Sequence, residues 1–195
     1  MELIKSKTYE NLAKAFAGET MARTRYVFMS YGARQEGFTY MAKLIDNVVT
    51  QEFNHARMLY TFIQTATKNE IPNIDIASGY PFKEKWNLAD NLKFAAEDEK
   101  FESEKIYPEY ARTAEAEGFC DIAGLFNNLS KIENCHHMLF TDLYNQLTGG
   151  TLYAKDKPVK WKCADCGYEA TSKEAWTECP VCQTKQGAVK ILLEE

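Results

Sequence analysis

The sequence contains no apolar run long enough to cross a bilayer, which takes about 20 consecutive apolar residues. Its first sixteen residues, MELIKSKTYENLAKAF, lack the hydrophobic core and small-residue cleavage site of a secretory leader, so the expected location is the cytoplasm. Basic charge is in deficit, with 23 Lys and Arg against 28 Asp and Glu, for a net charge of −5. That balance argues against a nucleic-acid binder. The deficit lies wholly in the first 150 residues, because residues 151–195 carry seven Lys and seven acids. Histidine is scarce, with three in 195 residues, so each position it occupies is informative. There are six cysteines, and four of them fall in two CxxC pairs near the C-terminus. In a cytosolic chain, paired CxxC motifs signal a metal more often than disulfides.

The length allows one sizeable core and a small additional module. Hydrophobic periodicity divides the first 150 residues into four long helices. The first is expected over 8–36, with Thr8 as N-cap and Gly37 as stop, and its apolar seam runs through Leu12, Ala15, Glu19, Ala22, Tyr26, Met29 and Ala33. Arg23 and Arg25 flank that seam and are placed to pair with acids. The second helix is expected over 38–67, antiparallel to the first across a turn of one or two residues at Gly37. Its seam is Met41, Ile45, Val48, Glu52, His55, Leu59, Phe62 and Ala66. Residues 68–86 break the pattern at Pro72, Gly79 and Pro81, as one long crossover connection would. The third helix, 87–115, has the seam Leu88, Leu92, Ala95, Glu99, Glu102, Ile106 and Tyr110, and Pro108 should kink or loosen it. The fourth, 119–148, ends at Gly149-Gly150 and aligns Phe119, Ile122, Phe126, Leu129, Glu133, His136, Phe140, Leu143 and Leu147.

Each of the four seams is interrupted at mid-length by acid, or by acid and His: Glu19; Glu52 and His55; Glu99 and Glu102; Glu133 and His136. Residues three apart share a helix face, so these groups are directed into the bundle core. An uncompensated buried charge costs about 3–5 kcal/mol, and metal ions are the natural compensation. Carboxylate with imidazole suits iron or manganese. Five carboxylates and two imidazoles are too many for one ion and right for two.

Residues 159–195 change character, with β-rich pieces at VKWKC, GYEA and AVKILL. Cys163-Ala-Asp-Cys166 and Cys179-Pro-Val-Cys182 are separated by twelve residues, and two such turns close a tetrahedral sulfur cage for iron or for zinc. Trp161, Tyr168 and Trp176 are expected to form the small core of this module, and its fold should depend on the metal. Cys120, Cys135 and His137 fall off the seams. The two cysteines read as ordinary small apolar residues, and His137 as a surface residue. The expected domains are therefore a bundle over 1–150, a linker over 151–158 and a metal module over 159–195.

One Glu on helix one, Glu-x-x-His on helices two and four and Glu on helix three is the ferritin-like di-iron pattern. With FAGE at Phe16–Glu19, the pair Tyr107-Pro108 and the C-terminal CxxC pairs, the whole chain resembles the rubrerythrin family. That resemblance implies a ferritin-like four-helix bundle with one long crossover, joined to a small β-rich rubredoxin-like domain. It implies an oxo-bridged pair of non-haem irons, with Glu52 and Glu133 bridging and Glu19, Glu99 and His136 terminal. Glu102 is then the family's extra carboxylate, and His55 the imidazole that replaces it on reduction. Tyr26 and Tyr107 match tyrosines next to the ligands. Helix three reads AAEDEKFESE, without the Gly that often precedes the first Glu in the family, and it carries spare acids at Glu97 and Glu104.

The resemblance further implies iron, replaceable by zinc, at Cys163, Cys166, Cys179 and Cys182. The implied activity is a peroxidase that reduces hydrogen peroxide to water in oxidative-stress protection. Glu102, His55, Tyr26 and Tyr107 are the residues expected to act. Electrons would come from NADH through a rubredoxin or an NAD(P)H-dependent reductase. A homodimer or higher homo-oligomer is expected, in which one subunit's tail lies near its partner's bundle. The rivals are a ferritin-type ferroxidase or iron-storage protein, which has no use for the four-cysteine tail, and a di-iron oxygenase, which needs an organic-substrate pocket.

Overall fold

The computed structural model describes residues 1–71, 73, 75 and 87–193. Most of the expected crossover, including Pro72, Gly79 and Pro81, lies outside the described residues. The chain is mainly α-helical: α1 (Lys7–Gln35), α2 (Thr39–Thr65), α3 (Leu88–Phe101), a π-helical turn (Glu102–Ile106), α4 (Tyr107–Ala116) and α5 (Cys120–Thr148). Two antiparallel strands follow, β1 (Ala154–Lys162) and β2 (Glu169–Glu174). α3, the π turn and α4 together form the third rod of a four-helix bundle. α1 pairs with α2, and α3 and α4 pair with α5.

The cap of α1 differs from expectation. Ser6, not Thr8, is the N-cap, and its hydroxyl accepts from the Tyr9 amide at 3.1 Å. Thr8 lies inside the helix, fully buried. Its amide and hydroxyl, with the amide of Lys7, donate to the Glu117 carboxylate at 2.5–2.9 Å. A carboxylate from the end of α4 thus satisfies free amides at the positive end of α1, which local sequence could not reveal. The stop at Gly37 is as expected. Gly37 has φ +88, and Phe38 N donates to Ala33 O at 2.8 Å, closing the helix end in a left-handed turn that glycine adopts without strain.

The third rod departs from a regular helix. The Tyr107 amide donates to Glu102 O, five residues back, and so widens the helix by one residue immediately before Pro108. Proline has no amide to give, and the wide turn absorbs the defect that was expected as a kink. The inserted residue also rotates the buried face. After Glu99 the buried positions are Ser103, Tyr107, Ala111 and Ala114, while Glu102, Ile106 and Tyr110 of the expected seam are only half-buried.

The bundle core is divided in two. Tyr26, Met29, Met41, Ile45, Leu92, Phe140 and Leu143 pack at one end. Tyr9, Leu12, Leu59, Tyr107, Phe126 and Leu129 pack at the other. The buried acids and imidazoles form the layer between them, since each of the four rods passes from one cluster to the other through its polar residues.

The C-terminal module sits on the end of the bundle where α1 turns into α2. Leu152 and Ile191 join the neighbouring apolar cluster, Gln146 of α5 donates to Leu192 O at 2.7 Å, and Lys43 meets Asp165 at 3.0 Å. Within the module Trp161 is fully buried, while Tyr168 and Trp176 are half-buried and in ring contact at 5.1 Å. The expected third β piece, AVKILL, makes only a single bridge, Val189 to Cys163, because Ile191 is drawn into the bundle. Gly187 fixes the docking geometry. A Cβ there would stand 1.7 Å from Gly37 O, a backbone atom that cannot move aside without breaking the α1–α2 turn. Gly187→Ala is expected to lose about 1–3 kcal/mol, the usual range for overpacking, read as a lower thermal midpoint of the metal-loaded chain. Wild-type stability would show that the docked arrangement is dispensable.

Candidate metal centre

Six of the seven acids and imidazoles expected from the seams come together. Glu19, Glu52, His55 and Glu133 each offer one ligand atom within 4.8 Å of the others, and so do Glu52, Glu99, Glu133 and His136. Glu52 and Glu133 belong to both groups, and their oxygens are divided between them. Around His55 Nδ1 lie Glu52 Oε2 at 3.2 Å, Glu133 Oε1 at 3.3 Å and Glu19 Oε2 at 3.3 Å. Around His136 Nδ1 lie Glu133 Oε2 at 2.8 Å, Glu52 Oε1 at 3.0 Å and Glu99 Oε2 at 3.7 Å. Each of the two shared carboxylates therefore presents one oxygen to each centre, the arrangement a pair of bridged ions requires.

The remaining oxygens of the other two acids are held by phenols. Tyr107 donates its hydroxyl to Glu19 Oε1, and Tyr26 donates to Glu99 Oε1. Both tyrosines are buried, and burial next to these carboxylates holds their hydroxyls well above the usual phenol range, so they stay donors. His136 has a further partner, Gln51 Oε1, 2.9 Å from its Nε2.

The donor set fits metal. Glu19 Oε2, Glu52 Oε1, both Glu133 oxygens and His136 Nδ1 are buried without a hydrogen-bond partner among the described residues. Several lie within 3.3 Å of one another, yet their directions do not make hydrogen bonds, so they gather around common points rather than pair off. Buried polar atoms left this way are expensive. Four carboxylates match the +4 of two divalent ions.

Glu102 is the exception. It starts the π turn, half-buried, and joins neither group; its Oε1 lies 4.0 Å from where a side chain on Gly18 would begin. Burial, then the neighbouring Glu99 and Asp98 charges, push its carboxyl well above the usual range. The spare acids stay outside: Glu97 and Glu104 are exposed and lie near Lys93 and Lys100. Arg25 pairs with Asp98 at 2.5 Å, as its position beside the seam suggested, whereas Arg23 lies over the Phe53 ring at 5.5 Å. His137 was expected at the surface but is half-buried, with Nδ1 2.8 Å from Ala96 O on α3. Cys120 and Cys135 are exposed rather than packed.

In the C-terminal module the four cysteine sulfurs also lie within 4.8 Å of one another. The Cys163–Cys182 and Cys166–Cys179 sulfurs are 3.7 and 3.6 Å apart. That is far beyond a disulfide bond and close to the edge of about 3.8 Å of a tetrahedron with metal–sulfur bonds of about 2.3 Å. The two CxxC turns are built alike. Gly167 N donates to Cys163 O and Gln183 N to Cys179 O, at 3.0 and 2.9 Å, with both residues left-handed. Amides of Tyr168, Thr184, Val181 and Cys182 point at the sulfurs of Cys166, Cys182 and Cys179, as a thiolate cage needs.

Comparison with known proteins agrees with this geometry. The rubrerythrin family model matches residues 10–144. The chain is 36% identical to a rubrerythrin of Clostridium perfringens over 97% of its own length and 96% of that protein's. The chain belongs to the rubrerythrin family. A solved structure of partially reduced nigerythrin superposes with a TM-score of 0.62, at 26% identity, over 96% of this chain and 90% of that one. The bacterioferritin of Desulfovibrio desulfuricans, whose structure describes a di-iron site, shares the fold, with a TM-score of 0.62 over 74% of this chain and 82% of that one, at 18% identity. A ferritin-like bundle joined to a rubredoxin-like module in an oxidoreductase family fits a di-iron cluster and a four-sulfur iron site.

One residue of the site was missed by the sequence reading. Gln51 precedes Glu52 by one residue, off the apolar seam, and nothing in periodicity marks it. Only the approach of α5 to α2 shows that it meets His136.

The metal-free electrostatics set a pH dependence. Burial alone would lower both imidazoles, but contact with Glu133, Glu19 and Glu52 holds His55 at about 12, and contact with Glu133, Glu52 and Glu99 does the same for His136. Burial raises Glu99 to about 8 despite its contact with His136. Metals need these lone pairs free, so uptake must expel the protons. At pH 7 metal-free chain should release at least two protons on filling the bundle site with cobalt(II), measured with an indicator in weak buffer. The overall affinity should rise by at least about a hundredfold per pH unit between 6 and 8, from the linkage of the two imidazole protons to binding, with Glu99 adding to the slope below about 8. Uptake without proton release would mean that the imidazoles are not displaced from their carboxylate partners.

Proposed function

We propose that this rubrerythrin-family chain is a di-iron peroxidase that reduces hydrogen peroxide to water and is re-reduced through its four-cysteine iron site. The observation that carries the reading is the pairing, on one chain, of a site whose two shared carboxylates each face two centres with a sulfur cage of metal-binding dimensions. Two ferrous ions held by Glu19, Glu52, His55, Glu99, Glu133 and His136 would supply two electrons together, which avoids one-electron release of hydroxyl radical. The overall reaction takes one peroxide, two electrons and two protons to two waters.

The chain's own residues supply the rest. Tyr26 and Tyr107 steady the outer oxygens of Glu99 and Glu19 by hydrogen bonds that persist across neutral pH. Glu102 and His55 are proposed to share one ligand position in turn, the carboxylate in the oxidised state and the imidazole in the reduced state, because ferric iron is the harder acid. His55 stands with the other donors and Glu102 lies beside Gly18, so both border the Glu19 half of the site. Burial and the neighbouring Glu99 and Asp98 charges raise the Glu102 carboxyl, which suits it to carry a proton close to where protons are consumed.

Electrons reach the module from an upstream donor, proposed to be a rubredoxin or an NAD(P)H-dependent reductase in a cytoplasmic setting. Lys43, which meets the module, precedes Glu52 by nine residues, about 14 Å of helix at 1.5 Å per residue. The module therefore docks away from its own cluster, and in the proposed homodimer the partner's module lies nearer.

An iron-storing ferroxidase would share the bundle and leave the sulfur cage without a task. Iron analysis separates the two: the peroxidase should hold about three irons per chain, from two bundle sites and one cage, and a store should hold many. In an anaerobic test, the reduced protein is given one equivalent of peroxide while the visible bands of both centres are followed. Fast reoxidation by peroxide and slow reoxidation by oxygen is the expected result, and the reverse order would end the reading. His55→Ala should bind iron nearly normally when oxidised but turn over more slowly; an unchanged peroxide rate would remove His55 from the proposed exchange.

A further inference from the structure

The two halves of the bundle site are built alike except in one respect. Each centre has a terminal glutamate steadied by a buried tyrosine, one oxygen from each bridging glutamate and one imidazole presenting Nδ1. The imidazoles differ on their far side. His136 Nε2 is bound to Gln51 Oε1 at 2.9 Å, whereas the only hydrogen bond of His55 among the described residues is made by Nδ1, to Glu52.

The chemical consequence is specific. A neutral imidazole carries one N–H and one lone pair, and which nitrogen holds the lone pair is set by what the other one meets. A carbonyl oxygen at Nε2 accepts a proton and cannot supply one. It therefore pins the N–H there, leaves the lone pair on Nδ1 facing Glu52, Glu99 and Glu133, and stops the ring from rotating away. Such partners behind a ligand raise its basicity, and removing them typically weakens metal binding about 10–100-fold. Among the described residues His55 has no such anchor at Nε2, so its ring is held only from the Nδ1 side, by Glu52, Glu19 and Glu133. Gln51 itself is half-buried on α2 and reaches across to α5, so the anchor ties together the two helices that carry the bridging acids.

We propose that Gln51 is a positioning residue that makes the Glu99/His136 position the tight, fixed half of the pair and leaves the Glu19/His55 position as the labile half. This rests on the reading of the site as one for two metal ions. The first divalent ion to enter the bundle goes to the Glu99/His136 position, and the second is the one that is lost first.

The test uses the full-length chain, stripped of metal with a chelator and titrated with cobalt(II), followed by absorption and calorimetry. The sulfur-to-cobalt bands of the four-cysteine site serve as an internal control for folding. Wild type should fill the bundle in two unequal steps. Gln51→Leu should weaken the tighter step about 10–100-fold and leave the weaker one in place. Gln51→Glu, which keeps an acceptor at the same reach, should hold or tighten it. On zinc-loaded protein with nitrogen-15 histidine, His136 should show a slowly exchanging Nε2 proton in wild type and in Gln51→Glu, and should lose it in Gln51→Leu.

Equal weakening of both steps by Gln51→Leu, no change in either, or like behaviour of the Leu and Glu variants would overturn the assignment. If wild type takes up cobalt only at the cysteine site, the two-metal reading itself fails, and that outcome is recognisable before any variant is made.

Discussion

Charge gathered in a dry interior governs this molecule. Glu19, Glu52, Glu99, Glu133, His55 and His136 are all almost inaccessible to solvent, and several of their lone pairs have no hydrogen bond to satisfy them. In a purely apolar bundle such a layer would be a liability of several kcal/mol per unpaired charge. Here it lies between two apolar clusters that position it, and each of the four rods contributes to both clusters and to the layer. The apolar contacts supply the rigidity that keeps six donors within ligand distance, and bound cations would remove the repulsion that the contacts alone must otherwise withstand.

That constraint accounts for irregularities elsewhere. Two tyrosines are buried with their hydroxyls directed at carboxylates because the terminal acids need their second oxygens fixed. The π turn places Glu102 just outside the ligand groups and rotates the remainder of the rod so that Tyr107 can reach Glu19. An α-helix in its place would keep Glu102, Ile106 and Tyr110 on the buried face and turn Tyr107 away. π turns concentrate at functional sites because they hold side chains at angles that a regular helix does not offer. The sulfur cage follows the same logic on a smaller scale, with left-handed residues after each CxxC and backbone amides turned toward the sulfurs.

Much of this is legible in the chain itself. Acid and imidazole at heptad-like positions in otherwise apolar seams signal a buried polar layer, since only three- and four-residue steps bring Glu52 and His55, or Glu133 and His136, onto one face. The α1 seam is buried as read, and the α2 and α5 seams are buried through their middles, with Leu12, Ile45, Phe126 and Phe140 at the centre, while Phe62, Ala66, Phe119 and Leu147 at their ends are half-buried. The third rod was misread beyond Glu99 because periodicity assumes a constant turn, and the π turn violates that assumption. His137 and Thr8 were misjudged for a related reason: their partners, Ala96 and Glu117, come from other helices.

The sequence by itself determined the four rods, the polar layer across them and the four-thiol cage, because each depends on spacing along one segment. Tertiary structure decided which carboxylate oxygen faces which centre, that Glu102 stands aside, that Gln51 backs His136 while no described residue backs His55, and that Gly187 rests on the Gly37 turn. These are relations between helices, or between the bundle and its appended module. Their distances are set by how the apolar clusters pack, and no periodicity within a single segment encodes them.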